Sequence, residues 1–452
     1  QGITTEITGE GDSIAPVSPR MAAESRGYWE RYGVTADFPR LADYWKAFRK
    51  SGSAVNLGTY VGAGGVRNYV IGQDSRAATA AELKAMEDLV AQAMKDGALG
   101  LSSALIYVPG SYASTEELVA LARAAGRYGG GYITHMRSEG AGIDAALSET
   151  FRIAREAGVR ADIYHLKLGG SKSWGGMGAV LKRLETARRD GLDVAANVYP
   201  WTASSNSLDV SLPDWVREGG TVKLLARLKD PETLAKAKAS FLEEDPAEWS
   251  RGGASRILIT SVAAPELKKY EGKTLEEIGR LEGRDPLDSL IGLVIADEAR
   301  TGRVTFGMSE DDVRAALRHP LVAMCTDSGA RAEDGPLSGD RSHPRAWATV
   351  PRILGKYARE EGLMTLEEAV RKMTSLPASR VRLMDRGILR PGFAADIVLF
   401  DPAAVRERST YSDPMHYSEG FPYVAVNGRL VVDGGRITTE RPGRPLYGPG
   451  RR

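Results

Sequence analysis

Two of the chain's five histidines stand at the ends of apolar, strand-like runs about 30 residues apart, and a third such run ends in an aspartate. The runs cover residues 131–135, 161–165 and 321–327, and their last residues are His135, His165 and Asp327. In a barrel of parallel strands, the carboxyl ends open onto one face, where catalytic groups collect. Two imidazoles and a carboxylate on that face are the donor groups of a hydrolytic metal site.

Glu10 offers a further carboxylate at a strand end. It follows the strand-like run 2–8, and the glycines on either side of it let other backbone segments approach closely. Glu10, His135 and His165 would hold one divalent cation and leave a position open for water, as catalytic zinc requires. Simpler structural roles fit these residues as well, since glycine-rich loops are common and Asp327 suits a helix N-cap.

Other polar side chains follow the same runs. Tyr107 and Tyr199 could donate to a developing oxyanion, although an aromatic cap on the barrel accounts for either one equally well. Lys167 and Arg137 come two residues after the histidines and suit a substrate carboxylate, but exposed ion pairs are the commoner fate of such cations. The segment 343–345, His-Pro-Arg, is a further candidate.

The elements that must position these residues alternate regularly. Apolar residues at helical spacing in 81–95, 115–128 and 147–156 lie between strand-like runs. This alternation predicts right-handed crossovers and a parallel sheet, and we interpret it as seven strands of an α/β (β/α)8 TIM barrel. We expect an eighth strand, the first of the barrel, to precede residue 1. The seven runs are residues 2–8, 54–61, 98–103, 131–135, 161–165, 193–199 and 321–327.

Two regions depart from the barrel pattern, which we assign to residues 1–385. Residues from about 206 to 319, with a charged run from Lys223 to Glu248, are predicted to be an insertion. A lid near the open face and extra surface helices account for it equally well. Residues 386–440 predict a small β-sandwich module with a hairpin at Asn427-Gly428. The Pro/Gly/Arg-rich residues 441–452 predict a loosely held tail.

Composition narrows the function. The 452 residues carry a net charge of +1, from 60 basic and 59 acidic side chains, which favours neither nucleic acid nor an anionic membrane as partner. One cysteine excludes an internal disulfide framework, and no apolar stretch approaches the ~20 residues of a membrane span. The chain begins at a glutamine inside a strand-like run, so we interpret it as starting partway through a fold. Localisation, cytoplasmic or exported, stays open.

Taken in order, these motifs resemble the amidohydrolase superfamily and, within it, the D-aminoacylase (N-acyl-D-amino-acid deacylase) family. The resemblance implies that His135 and His165 are metal ligands on the fifth and sixth strands. It implies that Asp327 moves a proton from the attacking water to the leaving amine, and that Lys167 and Tyr199 orient the substrate with help from Ser205 and Tyr107. The motifs that carry it are residues 9–16, 107–113, 134–139, 165–167, 199–205, 325–328, 342–345 and 443–450.

Two departures from the family pattern affect the metal count. The His-x-His pair of the family's first strand would lie before Gln1, together with the first half of the β-sandwich. Family members often carry a cysteine ligand where this chain has Glu10. We therefore expect one zinc ion, and two only if the His-x-His pair is present.

The reaction predicted is zinc-dependent hydrolysis of the amide bond of N-acyl-D-amino acids, with a small-molecule substrate. Two alternative functions stay open at this point. The chain could be a dipeptidase or a cyclic-amide hydrolase of the dihydroorotase or hydantoinase kind on the same barrel. It could also be an incomplete and inactive fragment. Oligomeric state is not predicted.

Overall fold

A curved sheet of parallel strands lies at the centre of the fold. The structure is a computed structural model that describes residues 1–30, 32–244, 249, 252–338 and 341–451. In chain order the strands are β1 (Thr5–Thr8), β2 (Asn56–Thr59), β3 (Val61–Gly62), β4 (Gly100–Ala104), β5 (Gly131–His135), β6 (Ala161–Ile163), β7 (Val194–Val198), β8 (Ser204–Ser207), β9 (Ile257–Ser261), β10 (Gly302–Thr305), β11 (Val322–Met324), β12 (Ile397–Leu399), β13 (Tyr423–Val426), β14 (Arg429–Asp433) and β15 (Arg436–Ile437).

Helices separate most of these strands. They are α1 (Pro19–Glu30), α2 (Leu41–Ser51), α3 (Ala63–Val70), α4 (Ala80–Asp96), α5 (Thr115–Gly126), α6 (Ile143–Ala157), α7 (Met177–Arg189), α8 (Asp214–Arg217), α9 (Gly220–Lys229), α10 (Pro231–Glu244), α11 (Leu275–Glu282), α12 (Pro286–Ala296), α13 (Glu310–Arg318), α14 (Arg345–Arg352), α15 (Leu366–Met373) and α16 (Ser375–Arg380). A π-helix, Ile353–Glu360, continues α14.

The strand order is that of a (β/α)8 barrel. Strand β1 pairs in parallel with β2, and β3 continues β2 after one residue. Strands β3, β4, β5, β6, β7 and β11 then follow one another in a six-stranded parallel sheet. The described residues thus form seven successive parallel strand positions, which confirms the predicted fold class. All seven carboxyl ends lie at one end of the sheet.

Local sequence explains where the elements begin and end. Helix α4 starts at a capping box made by Thr79 and Glu82, and it ends at Gly97 in the left-handed conformation. Strands β4 and β5 are buried at every position, because helices cover the outside of the sheet and side chains fill the inside. None of the described helices has the length and apolarity that a membrane crossing needs.

The region between β7 and β11 has a sheet and a core of its own. Strands β8, β10 and β9 form an antiparallel sheet in that order, and helices α8 to α12 surround it. Its core includes Leu228, Ile259 and Leu290. The barrel pattern resumes with α13 and β11. The end of the predicted charged run, Glu248, lies outside the described residues.

The C-terminal strands β12 to β15 form a separate antiparallel sheet with a turn at Asn427-Gly428, where both residues have positive φ, as predicted for the hairpin. The prediction of a loosely held tail is wrong for residues 441–451. Leu446 is buried, and its N–H donates to the carbonyl of Leu57 on β2. A side chain at Gly448 would collide with the backbone of Ala98, so glycine allows the close docking of this segment. Residue 452 is outside the described part.

Candidate active site

Glu10, His135 and His165 meet at the carboxyl ends of β1, β5 and β6. One oxygen of Glu10, Oε1, lies 2.8 Å from His135 Nδ1 and 2.9 Å from His165 Nε2. The two imidazole rings are 4.4 Å apart between centroids and meet edge to face. Both histidines are buried. Residues up to 155 positions apart in the chain therefore converge as the sequence predicted.

The donor atoms of these three residues fit a divalent cation. One ligand atom from each residue lies within 4.8 Å of the others. Nδ1 of His135 and Nε2 of His165 face the same carboxylate oxygen, so the three donor atoms lie close together. Two imidazoles and a carboxylate are the ligands of many catalytic zinc sites, which leave further positions open. The second nitrogen of His135, Nε2, is buried without a hydrogen-bond partner among the described residues.

Local backbone conformation orients the side chains of His165 and Glu10. His165 follows β6 and has φ of 34°, in the left-handed region that few non-glycine residues adopt. Its N–H donates to Asn197 Oδ1 on β7 at 2.6 Å, which holds this conformation in place. Gly11 has φ of 73°, and a Cβ there would lie 2.4 Å from Ala104 Cβ. The Glu10 loop can therefore lie against β4 only with glycine at this position.

The carboxylates and imidazoles of the site shift one another's pKa values. Burial favours the neutral form of Glu10, yet the two neighbouring imidazoles hold the pKa of its carboxyl well below the usual range. Burial and Lys167 oppose protonation of His165, but the carboxylates of Asp327, Glu10 and Glu139 outweigh them and raise its pKa to about 10. The carboxylates around the two histidines thus favour a positive charge at this place in the site.

Glu139 belongs to this network, although the sequence did not single it out. Its Oε1 lies 2.5 Å from Lys167 Nζ and 3.1 Å from His165 Nδ1, and its Oε2 lies 3.6 Å from His135 Nε2. Burial opposes ionisation, but Lys167 and the two imidazoles hold the pKa of Glu139 far below its usual range. Its one sequence signal was the position four residues after His135 in a polar loop, too common a pattern to indicate a role.

Lys167 is therefore engaged in a way that the sequence did not predict. Its ammonium contacts Glu139 and lies 2.7 Å from His165 Nδ1, and it lies over the Tyr199 ring at 5.6 Å. Glu139 already pairs with this ammonium, and the predicted role of Lys167 with a substrate carboxylate stays a prediction. The Lys167 side chain also lies against the His165 nitrogen that does not face Glu10.

Asp327 lies near the cluster of Glu10, His135 and His165 but is not part of it. It has φ of 49°, and its Oδ2 lies 2.5 Å from Arg345 Nη1. The donor cluster of Glu10, His135 and His165 does not include it. That Asp327 is a metal ligand stays a prediction. Its position next to His165 leaves the proton-transfer role available.

Arg345 is the second residue whose place the sequence left undefined. Its guanidinium is buried and lies over the Tyr199 ring at 4.7 Å. Nη1 is close to Asp327 but lacks hydrogen-bond geometry, and both Nε and Nη1 are without partners among the described residues. Nη2 donates to the Ser205 carbonyl at 3.4 Å. Ser205 thus contacts the site region through its backbone.

The two tyrosines border the histidines. The Tyr107 ring centroid is 5.5 Å from that of His135, and the Tyr199 centroid is 6.4 Å from that of His165. Burial raises the pKa of both hydroxyls far above the usual value, so both stay protonated donors. The Tyr199 hydroxyl has Met308 Sδ, 4.0 Å away, as its hydrogen-bond acceptor.

Two of the predicted candidate residues make hydrogen bonds within the protein. Arg137 is turned toward α6, where Glu149 accepts from its Nε at 3.1 Å and from its Nη2 at 3.0 Å. It also donates to the carbonyls of Ser111 and Ala113, and its predicted substrate role stays a prediction. His343 donates from Nε2 to the Ala203 carbonyl, and burial lowers its pKa well below the usual value. A neutral, fully bonded imidazole is not poised for metal binding.

Comparison with known proteins fits this arrangement. A sequence profile of the Amidohydrolase family matches residues 26–432. The chain belongs to the amidohydrolase family. The match includes His135, His165 and Asp327, whereas Glu10 precedes it.

Individual relatives of this amidohydrolase narrow the resemblance to the D-aminoacylase group, as the motifs predicted. D-aminoacylase of Alcaligenes xylosoxydans xylosoxydans is 35% identical over 448 residues, 99% of this chain and 81% of that protein. A solved D-aminoacylase has a TM-score of 0.79 at 33% identity, and the alignment covers 99% of this chain and 83% of that protein. That D-aminoacylase is described as having a binuclear metal centre with one-metal activation and second-metal attenuation. N-acyl-D-glutamate deacylase from Bordetella bronchiseptica, solved with zinc and a phosphonate mimic of the tetrahedral intermediate, has a TM-score of 0.80 at 32% identity with the same coverages.

Proposed function

We propose that this amidohydrolase hydrolyses the amide bond of N-acyl-D-amino acids, using one zinc ion held by Glu10, His135 and His165. The observation that carries the proposal is the clustering of these three donors within 4.8 Å of one another, with Asp327 and Arg345 near them. The relatives' activities support the same reaction class. The near-zero net charge fits a small-molecule substrate better than nucleic acid or an anionic membrane.

Zinc, when bound, polarises a carbonyl oxygen and lowers the pKa of water toward ~7. In this proposal, Asp327 accepts a proton from the attacking water and passes it to the amine nitrogen as the carbon–nitrogen bond breaks. Tyr199 and Tyr107, both protonated and at the rims of the two histidines, donate to the oxyanion that develops on the former carbonyl.

Arg345 is proposed to bind the α-carboxylate of the substrate, the role that Lys167 was expected to fill. Its Nε and Nη1 are buried donors without hydrogen-bond partners among the described residues, which is costly unless a ligand completes them. A planar guanidinium can bind a carboxylate through two parallel hydrogen bonds. The substrate carboxylate would also compete with Asp327 for Arg345 and leave Asp327 free to accept a proton.

The test combines metal analysis with a substrate panel. We expect about one zinc per chain after dialysis, and hydrolysis of N-acetyl-D-amino acids in preference to their L-enantiomers, dipeptides and hydantoins. Chelation should abolish turnover, and zinc should restore it. A zinc-loaded chain that hydrolyses dipeptides or hydantoins but no N-acyl-D-amino acid would refute the proposal. A folded chain that retains no zinc would favour an inactive fragment.

A further inference from the structure

Arg303 lies on β10, directly opposite Asn206 on β8, in the sheet inserted between β7 and β11. Its Nε donates to Asn206 Oδ1 at 2.9 Å, and its Nη1 donates to Ser211 Oγ at 2.6 Å. Both partners are neutral. The side chain is half-buried, and burial lowers its pKa to about 10, so it still carries a charge near pH 7.

No carboxylate lies within ion-pair distance of Arg303 in the part of the chain that the structure describes. The other cations near the site each have one. These pairs are Lys167 with Glu139, Arg345 with Asp327, Arg137 with Glu149, and Arg217 with Asp214. Asp209 lies beyond ion-pair distance and favours the charge of Arg303, but burial outweighs it. Removing a cation from water is costly unless it is paired, so a bound anion would complete this site.

The position of Arg303 indicates which anion it could bind. The side chain of Asn206 lies between Arg303 and the Tyr107 hydroxyl, and the Tyr107 ring borders His135. Arg303 is thus separated from the metal ligands by two side chains, on the side of the mouth formed by the insertion. The α-carboxylate of an N-acyl amino acid is only two bonds from the scissile nitrogen, so it must lie close to the ligands. Arg345, with its free donors, is placed for that group.

We infer that Arg303 binds a carboxylate at the end of the substrate's amino-acid side chain, so that this enzyme prefers N-acyl derivatives of acidic D-amino acids. The inference rests on the proposed function and adds the side-chain class to it. It assigns the inserted sheet a specificity role, because β8 and β10 together supply Asn206 and Arg303. The neutral hydrogen bonds from Asn206 and Ser211 fix the guanidinium and leave Nη2 to pair with the substrate.

The experiment compares matched substrates and matched variants of the zinc-loaded protein. N-acetyl-D-glutamate and N-acetyl-D-glutamine differ by one charge at nearly constant shape. We expect the wild type to favour the acid, and Arg303→Gln to lower kcat/KM for the acid roughly 10- to 100-fold while changing the amide less than threefold. Arg303→Lys should keep part of the preference. Arg280→Gln, at an exposed site on α11, serves as the control and should change neither value.

Binding of the products provides a second readout that does not need turnover. Titration calorimetry should detect tighter binding of D-glutamate than of D-glutamine, and Arg303→Gln should remove the difference. Equal losses for both substrates in Arg303→Gln, or a wild type without acid preference in kinetics and in binding, would overturn the inference and leave the proposed function intact. Acid-selective binding that depends on Arg303 without turnover of any N-acyl-D-amino acid would instead refute the proposed function and retain the Arg303 site.

Discussion

Replacing Asp327 by Asn tests the proton-transfer step at the centre of the proposed reaction. Asn keeps the shape of the side chain and an oxygen that can face Arg345, but it cannot accept a proton at neutral pH. General acid–base catalysis contributes about 10²- to 10⁴-fold, so kcat should fall by that factor, equivalent to about 3–5 kcal/mol in the barrier. The assay is steady-state hydrolysis of an N-acetyl-D-amino acid by zinc-loaded protein.

Metal content separates this role from ligation. Asp327 stands outside the cluster of Glu10, His135 and His165, so Asp327→Asn should retain the wild-type zinc content. Loss of charge opposite Arg345 should lower the free energy of unfolding by about 1–3 kcal/mol. A kcat within tenfold of wild type would refute the general-base role, and a loss of zinc would reassign Asp327 to ligation.

A matched control is available in the inserted region. Asp297 is fully buried, and its carboxylate accepts hydrogen bonds from the backbone N–H groups of Ala263 and Ala264 and from the Thr301 hydroxyl. Asp297→Asn should lower stability by a similar amount without changing kcat. If this variant loses activity as strongly as Asp327→Asn, the effect of the latter comes from general destabilisation.

Three further changes test other parts of the structure. Glu10→Gln should lower the zinc content measured by mass spectrometry while thermal unfolding changes little, because the amide oxygen can still accept from both imidazoles; unchanged zinc would contradict the ligand set. Glu117→Gln should cost about 3–5 kcal/mol in urea unfolding, since it leaves the fully buried Arg67 guanidinium, 2.6 Å from Glu117 Oε2, without its counterion; a change below about 1 kcal/mol would argue against this pair. Leu446→Ala should cost about 2–3 kcal/mol because the tail is docked, whereas Leu389→Ala at an exposed position should cost almost nothing; equal effects would contradict the docking.

The difference between Lys167 and Arg137 shows where prediction from sequence stops. Both follow a site histidine by two residues, so the sequence predicts the same role for both. His135 is the last residue of β5 and keeps the strand conformation, whereas His165 lies beyond β6 in the left-handed region. The segments that follow β5 and β6 therefore leave their strands in different directions. Lys167 enters the site, and Arg137 turns outward to Glu149.

The sequence alone determined the barrel strands and three of the site residues. Strand-like runs recur at regular intervals, and parallel strands must open at one face, so a polar residue at the end of such a run has a defined place. Glu10, His135 and His165 could be found in this way without any knowledge of the loops.

Only the tertiary structure decided which charges pair with each other. Glu139 lies in a loop, Arg345 begins α14, and Arg303 lies on the inserted sheet. Where each of them lies depends on long-range packing rather than on local pattern. The tail 441–451 has the composition of a flexible segment, yet its glycines allow the backbone contacts that hold it against the barrel. Composition reports local conformational freedom, whereas burial and charge pairing depend on residues that are distant in the chain.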